Sequence, residues 1–434
     1  MDKRTRLFTS LTVGAMLVGS AVAMATPAAA QDKTITIMAS QDWIKPAEME
    51  LAKQFEAETG IAVDYQIIPA DQYFNVLKTK LNAGEAADIF GGQTGQSDLK
   101  LQYDVENNAV PLTDEEWASR MDPAAIEMSS LDGVLYGAEI WDIIASNYFV
   151  TVYNKEIFDD LGVSVPANWD EFLAACTTIS EAGITPVFEP VSDGWHHVLW
   201  FPMVGGAFEA AEPGLANALN ANETTFAENA NMTTAMTQID EAYQAGCFGD
   251  NALSEMYSDT SGALASGEYA MTVAPLSMPA TVAADYPEVD PSIFGFFPIP
   301  TFGNQLQPVH PAGPAKFVYS GSENIDAAKQ FLAYLMEPES LQYLLDNEPQ
   351  FVSLPFEGVE AKWDENQQAF LDTYEAGGIV YQDIVNYLNP QWMDIGKDMT
   401  DMFVGGMSAE DVMASIDQRR AEMATVAGDA AWTE

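Results

Sequence analysis

Few residues in this chain have the type and spacing for bond-breaking chemistry. Histidine occurs only as His196, His197 and His310. The adjacent pair would point apart on either a helix or a strand, which is poor geometry for chelating one metal ion. All three are therefore read as structural or pocket-lining, and no metal and no cofactor is expected. The chain has no G-x-S-x-G, no G-x-x-x-x-G-K-[ST], no G-x-G-x-x-G and no H-E-x-x-H. Paired carboxylates for glycoside cleavage stay open as an alternative, because among 65 acidic residues some meet by chance. The chain does carry short clusters that mix aromatic rings with polar groups: Gln41-Asp42-Trp43, Gly91-Gly92-Gln93-Thr94, Trp141-Asp142, Asp193-Gly194-Trp195 and Ala312-Gly313. Indole and phenol rings stack on the apolar C–H faces of sugars, while carboxylates, amides and main-chain groups pair with sugar hydroxyls. That chemistry is recognition rather than catalysis.

The hydrophobic pattern explains how such clusters would be positioned. Ile35 and Ile37 alternate with Thr34 and Thr36, which predicts a strand, and Pro46 opens a helix with Met49, Ala52 and Phe55 on one face and Gly60 at its end. Ile61, Val63, Tyr65 and Ile67 alternate into a second strand ending at Pro69. Tyr73, Phe74, Leu77 and Leu81 then keep helical spacing up to Gly84, before a strand at 87–90. This β-α-β-α-β rhythm is that of a parallel α/β sheet. It recurs with strands expected at 148–153, 184–188, 269–274 and 293–297. Helices are expected after Asn168, with Glu171 placed for a capping box, at 325–336 and at 408–424. The stretch 209–230 has weak periodicity and reads as a variable surface region. In this frame the clusters follow strands, or precede a crossover strand in the case of Trp141-Asp142, which is where open α/β sheets hold ligands.

Composition limits the partners and the compartment. With 434 residues and 48% apolar content the chain can bury a large core, and its 65 acidic against 17 basic residues give a formal charge of −48. Phosphate recognition needs clustered Lys and Arg, so nucleic acid is excluded as a default partner, and anionic membranes and acidic substrates are disfavoured. Residues 1–30 read as a signal peptide. Lys3, Arg4 and Arg6 form its basic start, 11–24 its apolar run, and Ala28-Ala29-Ala30 an A-x-A site cut after Ala30. The apolar run is too short, and too broken by Gly14, Gly19 and Ser20, for a spanning helix. Two cysteines, Cys176 and Cys247, in an exported chain permit one disulfide, with a pair of buried free thiols as the alternative.

An ordered set of local motifs spread over nearly the whole mature chain resembles family 1 of the extracellular solute-binding proteins, the sugar receptors of ABC transporters. The residues that carry it begin with Ile35-Thr36-Ile37, Phe55-Glu56-Ala57-Glu58-Thr59-Gly60-Ile61 and Ala87-Asp88-Ile89-Phe90. They continue with Tyr153-Asn154-Lys155-Glu156-Ile157-Phe158, Pro166-Ala167-Asn168-Trp169-Asp170-Glu171-Phe172 and Ala182-Gly183-Ile184-Thr185-Pro186. Gly267-Glu268-Tyr269-Ala270-Met271, Phe297-Pro298-Ile299-Pro300 and Ala327-Ala328-Lys329-Gln330-Phe331-Leu332 complete the order.

The resemblance implies an α/β fold of two lobes, each a sheet flanked by helices, joined by crossover strands with ligand in the cleft. It implies a discontinuous N-terminal lobe at 31–145 and 297–350, and a C-terminal lobe at 146–296 and 351–434. By position the cleft-lining set becomes Trp43, Gln93, Thr94, Trp141, Asp142, Asp193, Trp195 and Gly313. Where many relatives carry an aromatic after the Met271 strand, this chain has Ala274-Pro275-Leu276. The implied function is a periplasmic carbohydrate receptor, monomeric and without a cofactor, that delivers sugar to ABC transporter permease subunits. A secreted carbohydrate-active hydrolase and an adhesion scaffold are the alternatives.

Overall fold

The structure is a computed structural model that describes residues 33–95 and 98–432. The expected signal peptide and its cleavage point lie outside the described residues. In chain order the strands are β1 (Lys33–Ser40), β2 (Ile61–Ile68), β3 (Ile89–Gln93), the hairpin β4 (Ser130–Leu131) and β5 (Val134–Leu135), and β6 (Gly137–Glu139). They continue with β7 (Phe149–Asn154), β8 (Thr185–Phe188), β9 (Tyr269–Pro275), β10 (Phe294–Phe297), β11 (Leu306–Val309), β12 (Pro314–Val318) and β13 (Glu375–Ile379).

Two larger sheets organise these strands into two lobes. The first has the order β2-β1-β3-β12-β6, and the second the order β10-β7-β9-β8. The β-α-β-α-β start folds as its periodicity requires: β1 pairs in parallel with both β2 and β3. The helices Pro46–Thr59 and Ala70–Ala83 connect these strands and end on Gly60 (φ 73°) and Gly84 (φ 72°), left-handed positions where glycine has no Cβ penalty. β12 returns antiparallel to β3 and brings a distant part of the chain into the first sheet. The helices Ile325–Leu335 and Pro338–Asn347 follow it and pack Phe331, Leu332, Leu341 and Leu344 against Leu51 and Phe55. In the second lobe Phe172, Trp200, Phe208, Phe226 and Met236 form a separate core. The small β11-β13 pair packs against the helix Gly205–Ala211 of that lobe.

Three expectations are corrected. Asn168 caps the helix Trp169–Glu181 through the Glu171 amide, but the Glu171 carboxylate accepts from the Ala167 main-chain N–H (2.8 Å) and the Asn168 side-chain amide (2.8 Å) rather than from the Asn168 main-chain N–H that a capping box requires. Reciprocal boxes form instead between Asp364 and Gln367 on the helix Glu365–Thr373 and between Ser408 and Asp411 on the helix Ala409–Ala427. The stretch 209–230 is not only surface, since Leu215, Leu219 and Phe226 are buried. The fully buried Arg420 guanidinium donates to the Leu219 carbonyl at 2.9 Å and sits 5.1 Å over the Phe226 ring. Short helices hid this anchoring from a periodicity reading. The expected Cys176–Cys247 bridge is not formed: both are buried free thiols. The helix Trp169–Glu181 and the turn after Ala230–Gln244 bring the two side chains together as small apolar packing groups. Burial, and then the neighbouring Cys247, push the Cys176 thiol far above its ordinary value.

Candidate functional site

One wall of the cleft between the lobes is built where the chain leaves β1. The turn is closed by Gln41 N–H donating to the Ile68 carbonyl (2.8 Å) and Trp43 N–H to that of Ser40 (3.2 Å). It places Asp42 at φ 68°, a left-handed position that Asp tolerates better than most side chains. The Trp43 ring lies edge-on to Tyr73 at 5.2 Å and to Phe74 at 6.0 Å. A Cβ on Gly91 would come within 3.0 Å of that indole, so glycine in β3 is what admits the ring. Trp141 stands across from it, edge-on to Phe351 at 5.1 Å, with Lys45 Nζ 4.6 Å over its face. Trp43, Lys45, Glu48, Gly91, Trp141 and Lys316 line one pocket. Its floor is a buried ion pair, Lys316 Nζ to Glu48 at 2.9 Å. Burial brings the Lys45 ammonium down to about 8, and Asp42, Glu348 and Glu48 oppose that shift.

The other wall comes from the second lobe. β8 runs into a short turn at Val191–Asp193, and Gly194 (φ 77°) redirects the chain so that Trp195 is half-buried rather than enclosed. Its ring meets Tyr257 edge-on at 5.0 Å and Phe149 at 6.3 Å. Asp193 accepts the Tyr257 main-chain N–H and so holds that ring in place. Trp392 Nε1 donates to the Trp195 carbonyl at 2.9 Å. Burial raises the Tyr257 phenol above its ordinary value, and the Asp42 carboxylate from the first wall adds to the shift. The helix Trp392–Phe403 sits very close: a Cβ on Gly396 would lie 1.8 Å from the Gly194 carbonyl oxygen. Gly396→Ala is therefore expected to push this helix off the Trp195 turn, lowering the unfolding midpoint and shifting tryptophan emission; a variant with wild-type midpoint and emission would refute the close packing.

The structure divides the sequence-derived set. Trp43, Gln93, Trp141, Asp193 and Trp195 are half-buried at the lobe-facing ends of their elements. Thr94 and Gly313 are buried and bound to each other, Thr94 N–H to the Gly313 carbonyl (3.1 Å) and Gly313 N–H to Thr94 Oγ1 (2.9 Å). They join β3 to β12 at the crossover. Asp142 is 0% exposed, and its carboxylate accepts the main-chain N–H groups of Ile144, Ala145, Val352 and Ser353. It is a structural tie with no free face for a ligand. Ala274 and Leu276 are fully buried, so no side chain from the end of β9 reaches the cleft there. The strand-end rule missed Phe149, Tyr257 and Trp392. Tyr257 follows an irregular stretch rather than a strand, so no local signal marks it. The histidines are structural, as expected: His196 Nδ1 lies 2.6 Å from Glu189, and His197 Nε2 2.7 Å from the Gly396 carbonyl. Among the described residues no group of three or more His, Cys, Asp or Glu side chains is arranged to hold a metal, and no helix is long and apolar enough to cross a membrane.

Comparison with known proteins agrees with this architecture. A binding protein of Brucella abortus (strain 2308) is 30% identical over 166 residues, 38% of this chain and 39% of the relative. The chain thus matches well under half the length of that relative. The diacetylchitobiose-binding protein of Streptomyces coelicolor is 25% identical over 307 residues, 67% of this chain and 65% of that one. A sugar transporter structure from Bacillus licheniformis, in complex with stachyose, superimposes with a TM-score of 0.74 at 17% identity, covering 90% of this chain and all of that one. Likeness at that identity establishes the two-lobed fold. The family's sequence model matches residues 42–342, most of the chain. The protein belongs to the bacterial extracellular solute-binding proteins.

Proposed function

We propose that the protein captures a carbohydrate between its lobes, as a monomer in the periplasm, and delivers it to the permease subunits of an ABC transporter. On this reading the leader is removed after Ala30, and the lobes are those at 31–145 with 297–350 and at 146–296 with 351–434, except that β11 packs with the second lobe and Phe351, Leu354 and Phe356 with the first. The observation that carries it is the pair of aromatic walls: Trp43 and Trp141 from one lobe face Trp195 and Tyr257 from the other, with Asp42 electrostatically coupled to Tyr257. Half-buried rings beside carboxylates and amides suit a ligand with both C–H faces and hydroxyls. Relatives named for binding diacetylchitobiose or solved with stachyose support the same ligand class. Ligand bridging both walls stabilises the closed form only by its differential affinity for that form.

A thermal-shift screen over a sugar library tests the proposal. A ligand at 100 times its dissociation constant adds about 2.7 kcal/mol to stability, enough to move the midpoint by several degrees. Incubating any hit with the protein should release no new reducing ends; their appearance would favour the hydrolase alternative. Trp43→Ala and Trp195→Ala are each expected to weaken the hit by about tenfold or more, equivalent to about 1.4 kcal/mol. Calorimetric affinities within twofold of wild type for both variants would remove the aromatic walls from the site.

A further inference from the structure

Beside the crossover, carboxylates from both lobes are buried together. Asp98 follows β3 in the first lobe and is 4% exposed. Its Oδ2 accepts a 2.6 Å hydrogen bond from Asn389 Nδ2 of the second lobe. Asp383, from the short helix Tyr381–Ile384 of the second lobe, acts on Asp98 and on the fully buried Glu139 at the end of β6. His310, in the crossover itself, places Nδ1 2.8 Å from the Asp383 carboxylate. Tyr103 is the remaining titratable group turned toward Asp98, from the next turn of its own segment. Among the described residues no lysine or arginine forms an ion pair with Asp98, Glu139 or Asp383.

We propose that Asp98 and Asn389 form a proton-operated clasp: the lobes close when Asp98 binds a proton and are driven apart when it is ionised. Closure takes the Asp98 carboxyl out of water and toward Asp383, and both effects oppose its charge. A proton on Oδ1 relieves both and leaves Oδ2 free to accept the Asn389 amide, so the bond between lobes survives protonation. In the closed arrangement the Asp98 carboxyl is pushed up to about 7, chiefly by burial and further by Asp383, against the pull of Asn389. In an open, hydrated cleft it returns toward its ordinary value of about 3.9. A value raised by closure means that closing takes up a proton. Closure is therefore favoured in full below about pH 4, and it loses up to tenfold in equilibrium constant per pH unit as pH climbs through about 7.

The clasp rests on the receptor reading only in requiring two lobes that open and close, and its test uses no sugar. Small-angle scattering of the ligand-free protein at fixed ionic strength, at about pH 5 and about pH 8, should show the smaller radius of gyration at the lower pH. Asp98→Asn should be compact at both, with no shift. Asn389→Asp sets a second carboxylate against Asp98 and should be more open than wild type at the higher pH. Asp372→Asn removes an exposed acid and should keep the wild-type shift, which separates the clasp from a general loss of charge repulsion. A wild-type radius that does not change with pH would overturn the proposal. So would a shift that persists in Asp98→Asn, or one that vanishes in Asp372→Asn. Failure of every sugar in the thermal-shift screen would count against the receptor reading and leave this scattering result standing.

Discussion

Asp142→Ala is expected to lower the free energy of unfolding by about 3–5 kcal/mol, since each buried polar group left without a partner costs about 1–3 kcal/mol. The carboxylate gathers Ile144 N–H (2.9 Å), Ala145 N–H (2.7 Å), Val352 N–H (2.6 Å), Ser353 N–H (2.8 Å) and the Ser353 hydroxyl (3.0 Å). Two of those amides lie just before β7, and two lie in a segment that follows the helices of the first lobe. Asp142 thus ties together two stretches that are distant in sequence. Burial raises its carboxyl above the ordinary value, while the four amides pull the other way. Asp142→Asn retains one acceptor oxygen but aims an NH2 group at amide donors, so it should recover only part of the loss. Urea denaturation followed by circular dichroism measures both variants. A loss below about 1 kcal/mol for Asp142→Ala would mean that the freed amides find other partners, since that is the typical net worth of one hydrogen bond.

The second large effect is at Glu189, wholly buried behind the Trp195 wall. Its two oxygens are divided between His196 Nδ1 at 2.6 Å and Trp200 Nε1 at 2.7 Å, and His196 Nε2 lies 2.8 Å from the Val273 carbonyl. A carbonyl only accepts, so Nε2 carries a hydrogen, and Nδ1 and the Glu189 carboxyl share another between them. Removing one member of such a pair strands the other in the core. Glu189→Ala should therefore cost about 3–5 kcal/mol, as is typical when a buried pair is broken. The double variant with His196→Ala should cost less than the sum of the single losses, because the second truncation removes the stranded partner. Additive losses would show that the two side chains do not act as a pair. The His196 ring is 5.1 Å from that of Trp195, so tryptophan emission should change along with stability.

Much of the fold is written locally. The alternation of Ile35 and Ile37, the face made by Ala52 and Phe55 and the stops at Gly60 and Gly84 each act within a few residues, and each element forms where its pattern requires. The ordered motifs from Ile35 to Leu332 carried the resemblance to the solute-binding proteins, and Trp43, Trp141 and Trp195 were legible because they sit at the ends of patterned segments.

What the tertiary structure alone decided is the state of each polar side chain. Asp142 and Asp193 look alike in sequence, each within two residues of a tryptophan. One disappears under four amides from two chain segments, and the other stays half-buried and holds Tyr257. Asp98 meets Asn389, and Asp42 acts on Tyr257, across separations that no local pattern spans. The physical reason is range. Periodicity, caps and left-handed glycines depend on neighbours within a turn or a strand, and the sequence states them directly. Burial, hydrogen-bond supply and like-charge repulsion depend on which distant segments pack together, and those segments arrive only once β12 has returned to the first sheet and β13 has paired with β11.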